Sequence, residues 1–228
     1  MMEVRKNREF KYHYVASERS LKQIDKIMSE SSELPLIYKV YSVDGSYREF
    51  ENLDDLLDWD NSKDKMCNQM TIEHDGYSGL RIEISLGNSE FGSLKYLIRG
   101  EEKEVDHYSK RIENVFGSMK QWYTIANGGT FLKNLVFGVT VSFSALLFVS
   151  LCFTWLNIKN ENLMPTIFFI VLILLYAIFA KVRHNIFPVA QFEIGDGIER
   201  VKLKMYLRST AIVLFLGGIV SFIVNQLS

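Results

Sequence analysis

Cysteine and histidine are scarce in this chain, and their scarcity excludes several kinds of site. Only two of the 228 residues are cysteine, Cys67 and Cys152, too few for a disulfide framework. Both are expected to be reduced packing residues. The four histidines, His13, His74, His107 and His184, have no second histidine or cysteine at metal-ligand spacing. The catalytic signatures are missing too. There is no H-E-x-x-H, no phosphate-binding loop ending in Lys-Ser/Thr, and no G-x-S-x-G elbow. Gly195-Asp196-Gly197 lacks the second half of a dinucleotide fingerprint. No cofactor is expected. The first residues, Met1-Met2-Glu3-Val4-Arg5-Lys6, carry no apolar stretch of a secretory signal.

Charge is absent from three long segments. Leu135 to Leu156 is a 22-residue run without a charge, Met164 to Ala180 one of 17, and Ser209 to Val224 one of 16. About 20 helical residues span a bilayer core, so these runs suggest membrane helices. Basic residues flank them unevenly. Lys133 precedes the first run, Lys181 and Arg183 follow the second, and Arg200, Lys202, Lys204 and Arg208 precede the third. The positive-inside rule then places the N-terminus in the cytoplasm and the C-terminus outside, in a multi-pass cell-membrane protein. Those seven basic residues are candidate headgroup anchors that would meet membrane lipids. Asp196 and Glu199 form a capping box for a helix continuing into the third run. Ser142, Ser144, Gly217 and Gly218 are candidate helix-packing positions.

What precedes the runs has a different composition. Residues 1–130 hold 18 Lys/Arg against 23 Asp/Glu, whereas residues 131–228 hold 8 against 4. The acidic balance, without a basic-aromatic stripe, disfavours nucleic-acid binding. Tyr12 to Val15 suggests a short strand. Ser17 reads as the cap of a helix with the stripe Leu21, Ile24, Ile27 and Met28. Ile37 to Val43 and Tyr47 to Phe50 flank Asp44-Gly45 as a hairpin. Asn52 caps a second short helix. Met70, Ile72 and His74 alternate with polar residues, as do Leu80, Ile82, Ile84 and Leu86. A strand at Leu94 to Ile98 precedes a long helix over about 103–123. The segment from Val189 to Ile194 is expected to dock against this domain.

The expected fold is a multi-pass α-helical membrane domain with three transmembrane helices following an N-terminal cytoplasmic α+β domain with a mainly antiparallel sheet. The domain would cover 1–126, a glycine-containing joint 127–134, and the membrane part 135–228. The spans would fall at about 135–156, 164–181 and 208–225, with a cytoplasmic loop at 182–207.

Function is less legible. Glu49, Glu51, Asp54, Asp55, Asp58 and Asp60 form the densest polar group. They do not match the spacing of a calcium loop, so Asp54, Asp55 and Asp58 are a candidate partner surface for a basic molecule. The leading expectation is a non-enzymatic inner-membrane sensor, adaptor or scaffold whose cytoplasmic domain binds a protein or small ligand. Its spans would pack with other copies or a membrane-protein subunit. One alternative is an oligomeric pore-forming or membrane-perturbing effector gated by that domain. Another is a membrane-interface enzyme using Arg183, His184, Glu193, Asp196 and Arg200.

Overall fold

Ser17 starts the first helix because its hydroxyl accepts the Ser20 amide at 3.2 Å, satisfying one of the open donors of a first turn. From that cap α1 runs Glu18–Ser31, and Leu21, Ile24, Ile27 and Met28 face the core as the periodicity requires. The computed structural model describes residues 3–74, 79–87, 93–127 and 188–227. The chain divides into two units. One comprises residues 1–124 with 189–203, the other 125–188 with 204–228.

The first unit is built on an antiparallel six-stranded sheet. Its strands are β1 Glu3–Lys11, β3 Leu36–Ser42, β4 Tyr47–Phe50, β5 Cys67–His74, β6 Arg81–Gly87 and β7 Ser93–Glu101, in the order β1-β7-β6-β5-β3-β4. Alternation decides which face is buried. Tyr38, Val40, Met70, Ile72, Ile82, Ile84, Tyr96 and Ile98 point to one side and are almost fully buried there. Against that side pack α1 and α3 (Glu102–Met119), the latter through Val105, Ile112, Val115, Phe116 and Met119. A five-residue helix, α2 (Leu53–Leu57), adds Leu53 and Leu56. The intervening positions, among them Lys39, Glu73, Glu83, Lys95 and Arg99, form a polar face. A hairpin turn joins β3 and β4 at Gly45, where φ is +81° and a side chain would be strained.

A second pairing closes the unit. β2 (Tyr14–Ala16) lies parallel to β8 (Ala190–Phe192), with Tyr14 opposite Ala190 and Ala16 opposite Phe192. Two backbone bonds flank the ladder: the Tyr14 amide donates to Val189 O at 3.0 Å and the Glu193 amide to Ala16 O at 2.9 Å. The expected docking of 189–194 onto the N-terminal domain is thus present. It is a strand pairing, and it contributes Phe192 and Ile194 to the core.

One large element was invisible to periodicity. β1 has nine residues, of which only Val4 and Phe10 are apolar, so no alternation marks it. It is held from α3: the Lys6 ammonium reaches Ser109 Oγ at 2.8 Å and Asp106 at 3.3 Å, and Arg8 Nη1 meets Glu113 at 2.9 Å.

The expectation of a three-pass helical membrane domain is corrected here. Among the described residues no helix is long and apolar enough to cross a membrane. Those residues show an α+β fold with an antiparallel sheet and four helices. The expected spans at 135–156 and 164–181 lie outside the described residues. The third falls on α4, Gly197–Leu227. Its first turns are charged through Glu199, Arg200, Lys202, Lys204 and Arg208, which leaves the 16 uncharged positions Ser209 to Val224. A run of that length rises about 24 Å at 1.5 Å per residue, short of the roughly 30 Å of a hydrocarbon core. The multi-pass location, with a cytoplasmic N-terminus and an external C-terminus, rested on three crossings. It has no support from these helices.

Candidate functional site

An acidic groove lies between α1, the start of β3 and the approach to α2. It has a volume of about 570 Å³. The geometry follows from local folding. Ser32 ends α1 in an extended conformation and accepts the Leu34 amide on its hydroxyl at 3.1 Å. Pro35 then turns the chain into β3. Across the gap, Asn52 caps α2: its Oδ1 accepts the Asp55 amide at 2.8 Å, and its Nδ2 donates to Asp55 Oδ2 at 2.7 Å. The floor is Tyr38, whose hydroxyl donates to Asp25. Burial, together with the bond to Asp25, pushes the Tyr38 hydroxyl far above its ordinary pKa, so it stays a donor.

Four carboxylates line the groove, Asp25, Glu33, Glu51 and Asp54, against one lysine, Lys22. Lys22 is already paired with Glu18 at 2.6 Å. Glu33, Glu51 and Asp54 make no ion pair among the described residues. Like charges gathered in one concavity raise its negative potential above that of a flat surface. No group of three His, Cys, Asp or Glu among the described residues is arranged to hold a metal ion. The groove therefore suits an extended cationic group that contacts the carboxylates singly.

Of the three aspartates singled out by sequence, only Asp54 lines the groove. The Asp55 side chain is engaged by Asn52, and Asp58 ends α2, its amide donating to Asp54 O at 2.9 Å. Asp25 and Glu33 were not read from the sequence as part of this group. Asp25 sits on the polar flank of α1, and only the pairing of β3 behind the helix brings Tyr38 to it.

The residues of the 189–203 return form a separate cluster. Asp196 immediately precedes α4, and its carbonyl accepts the Arg200 amide at 3.4 Å; Glu199 lies in the first turn. Arg200 Nη2 donates to Asn61 O. Asn61, 1% exposed, is the hub: its Oδ1 accepts the Cys67 amide at 2.8 Å, and its Nδ2 donates to Ile194 O at 3.2 Å. Burial raises the Glu193 carboxyl above its ordinary pKa, against the pull of Lys202. In the other unit, Arg208 is buried with its Nε donating to Lys204 O at 3.1 Å, and Gly217 and Gly218 lie within α4. Lys133, Ser142, Ser144, Lys181, Arg183 and His184 lie outside the described residues.

No family model, no curated protein and no solved structure matches this chain.

Proposed function

We propose that the α+β unit is a non-enzymatic binding module, of the sensor, adaptor or scaffold kind, and that it holds a Lys/Arg-rich segment of a partner protein in the groove between α1 and α2. The observation that carries this is the imbalance of the lining, four carboxylates against one lysine that is already paired. Unpaired carboxylates lining one concavity leave a net negative charge there, which a cationic partner neutralises. The Tyr38 hydroxyl gives the floor a fixed polar group, which favours an extended chain with its own hydrogen bonds over an apolar ligand.

The test is titration of the full chain with a fluorescent Lys/Arg-rich peptide, followed by anisotropy at two ionic strengths. Exposed charge pairs contribute roughly 0.2–1 kcal/mol each. The combined substitution of Glu33→Gln, Glu51→Gln and Asp54→Asn should thus weaken binding about tenfold and flatten its salt dependence. Equal binding by the triple variant, or no binding by the wild type at low salt, would overturn the proposal.

A further inference from the structure

β1 leaves an edge of the six-stranded sheet open. It pairs along its whole length with β7, and no other described strand borders it. Half of its amides and carbonyls therefore point away from the sheet. A free edge of nine residues is a template for a further strand, and proteins usually shorten or cover such edges.

The side chains along this edge carry a pattern. The strand reads Glu3-Val4-Arg5-Lys6-Asn7-Arg8-Glu9-Phe10-Lys11. Laid antiparallel against itself about Asn7, it is self-complementary. Glu3 meets the partner's Lys11, and Arg5 meets the partner's Glu9. Val4 meets the partner's Phe10, and Asn7 meets its own equivalent. Only Lys6 and Arg8 would oppose a like charge, and both are already neutralised within their own subunit by Asp106 and Glu113 of α3.

We propose that β1 pairs antiparallel with β1 of a second copy of this chain about a two-fold axis at Asn7, joining two six-stranded sheets into one. Neighbouring registers fail on charge. Centring on Lys6 sets Glu3 against the partner's Glu9 and Lys6 against itself. Centring on Arg8 sets Arg5 against the partner's Lys11 and Arg8 against itself. A register centred between two residues would join the helix-packed face of one sheet to the polar face of the other, which a two-fold axis normal to the sheet forbids.

A second observation comes from the edge of β1 that pairs with β7. Arg5 is directly opposite Arg99, and Arg99 is directly opposite Arg81, so three arginines form a row across β1, β7 and β6. Like charges opposite one another destabilise a sheet. Arg99 is compensated by Glu3 and Arg81 stands 3.7 Å from Glu83, but Arg5 makes no ion pair among the described residues. The partner's Glu9 completes that row. Glu9 accepts from Ser93 at 2.9 Å and from Lys95 at 3.3 Å, and a carboxylate has acceptor capacity for a further donor.

Cross-linking tests the register directly. In the full chain, Asn7→Cys places two thiols opposite each other across the axis, within the Cα separation a disulfide accepts. Val4→Cys keeps every charge but separates the two thiols by about six residues of strand, or roughly 20 Å. Treated with copper phenanthroline in fresh lysate, Asn7→Cys should give at least about tenfold more disulfide-linked dimer than Val4→Cys or the wild type, with the bond mapped to position 7. In the Asn7→Cys background, Arg5→Glu should cut the cross-link about tenfold by facing the partner's Glu9. Adding Glu9→Arg should restore it, which a folding defect would not. Cross-linking of Asn7→Cys no greater than that of Val4→Cys, or indifference to Arg5→Glu, would overturn the pairing.

Discussion

Replacing Gly195 by alanine should detach the returning segment from the domain, and the structure sets the scale of the damage. Two costs act at this position. The first is conformational: φ is +46°, in the left-handed region, where a β-carbon costs roughly 1–2 kcal/mol. The second is steric. A β-carbon on Gly195 would lie 2.1 Å from Trp59 O and 3.2 Å from the Asn61 amide nitrogen. Both contacts are backbone, in a loop whose neighbour Leu57 accepts the Gly195 amide at 3.1 Å, so no side chain can swing away. The segment can only move off. Its departure would expose Phe192, Ile194 and Val201, each no more than 5% accessible. Burying a large aliphatic or aromatic side chain contributes about 1.5–3 kcal/mol, which caps the loss near 9 kcal/mol and makes about 3–5 kcal/mol the expected value. Gly45→Ala is the matched control. Gly45 has φ of +81° but nothing within 4 Å of its missing β-carbon, so it carries the conformational cost alone, roughly 1–2 kcal/mol. Urea unfolding of the two variants separates the terms, and hydrogen exchange at the Cys67 and Glu193 amides reports the detachment itself. An unfolding free energy of Gly195→Ala within about 1 kcal/mol of that of Gly45→Ala would refute the reasoning.

Two further predictions concern buried polar groups. Asn61→Ala leaves the Cys67 amide and the Ile194 carbonyl without their partner, at about 1–3 kcal/mol for each buried group, and should lower stability by about 2–4 kcal/mol in urea unfolding while speeding exchange at Cys67. His74 lies with Nε2 3.1 Å from Ser31 Oγ and Nδ1 3.4 Å from Leu34 O, and burial holds its pKa below the ordinary value. The unfolded chain then binds the proton more readily, so the stabilisation is complete above about pH 6.5 and is lost as pH falls towards the folded value. Thermal midpoints of the wild type should decline between pH 7.5 and 5.5, and those of His74→Gln should decline less; parallel profiles would count against a buried neutral imidazole.

Where apolar spacing was regular, the sequence announced the structure. The stripes of α1 and α3, the β3–β4 hairpin at Asp44-Gly45 and the alternation around Ile82 and Ile84 all carry a period that only one element satisfies. β1 fails that test because its buried side is shared with Lys6 and Arg8, whose partners lie on α3, about a hundred residues away. The groove was half legible. Glu51 and Asp54 stand in an obvious acidic run, but Asp25 and Glu33 join them only through the turn at Pro35 and the pairing of β3. Uncharged length alone over-read α4, since a run's apolarity does not state what length of it can be matched to a bilayer.

The return of the chain at 189–203 changes what counts as the domain. A boundary near residue 126 suits the sequence, because the helix expected over about 103–123 has ended by then and a glycine pair follows. Yet β2 is a three-residue strand with all three residues buried; among the described residues its ladder partner is β8, and an isolated antiparallel bridge joins Tyr14 to Lys120. A strand that short has no independent stability, so Tyr14 and Ala16 depend on the return as well as on Gly87 and the Lys120 bridge. The same return supplies the Ile194 carbonyl to Asn61 and fits Gly195 against Trp59. Trp59 and Asn61 follow α2 directly, and Asp54 of the acidic groove lies on α2. The groove's far wall is thus braced by a segment about 140 residues away in sequence. Closing a loop that long costs entropy that grows only slowly with its length, so a few close backbone contacts and three buried apolar side chains suffice to hold it. The groove wall at α2 and docking of the return share this short stretch, and whatever loosens one should loosen the other.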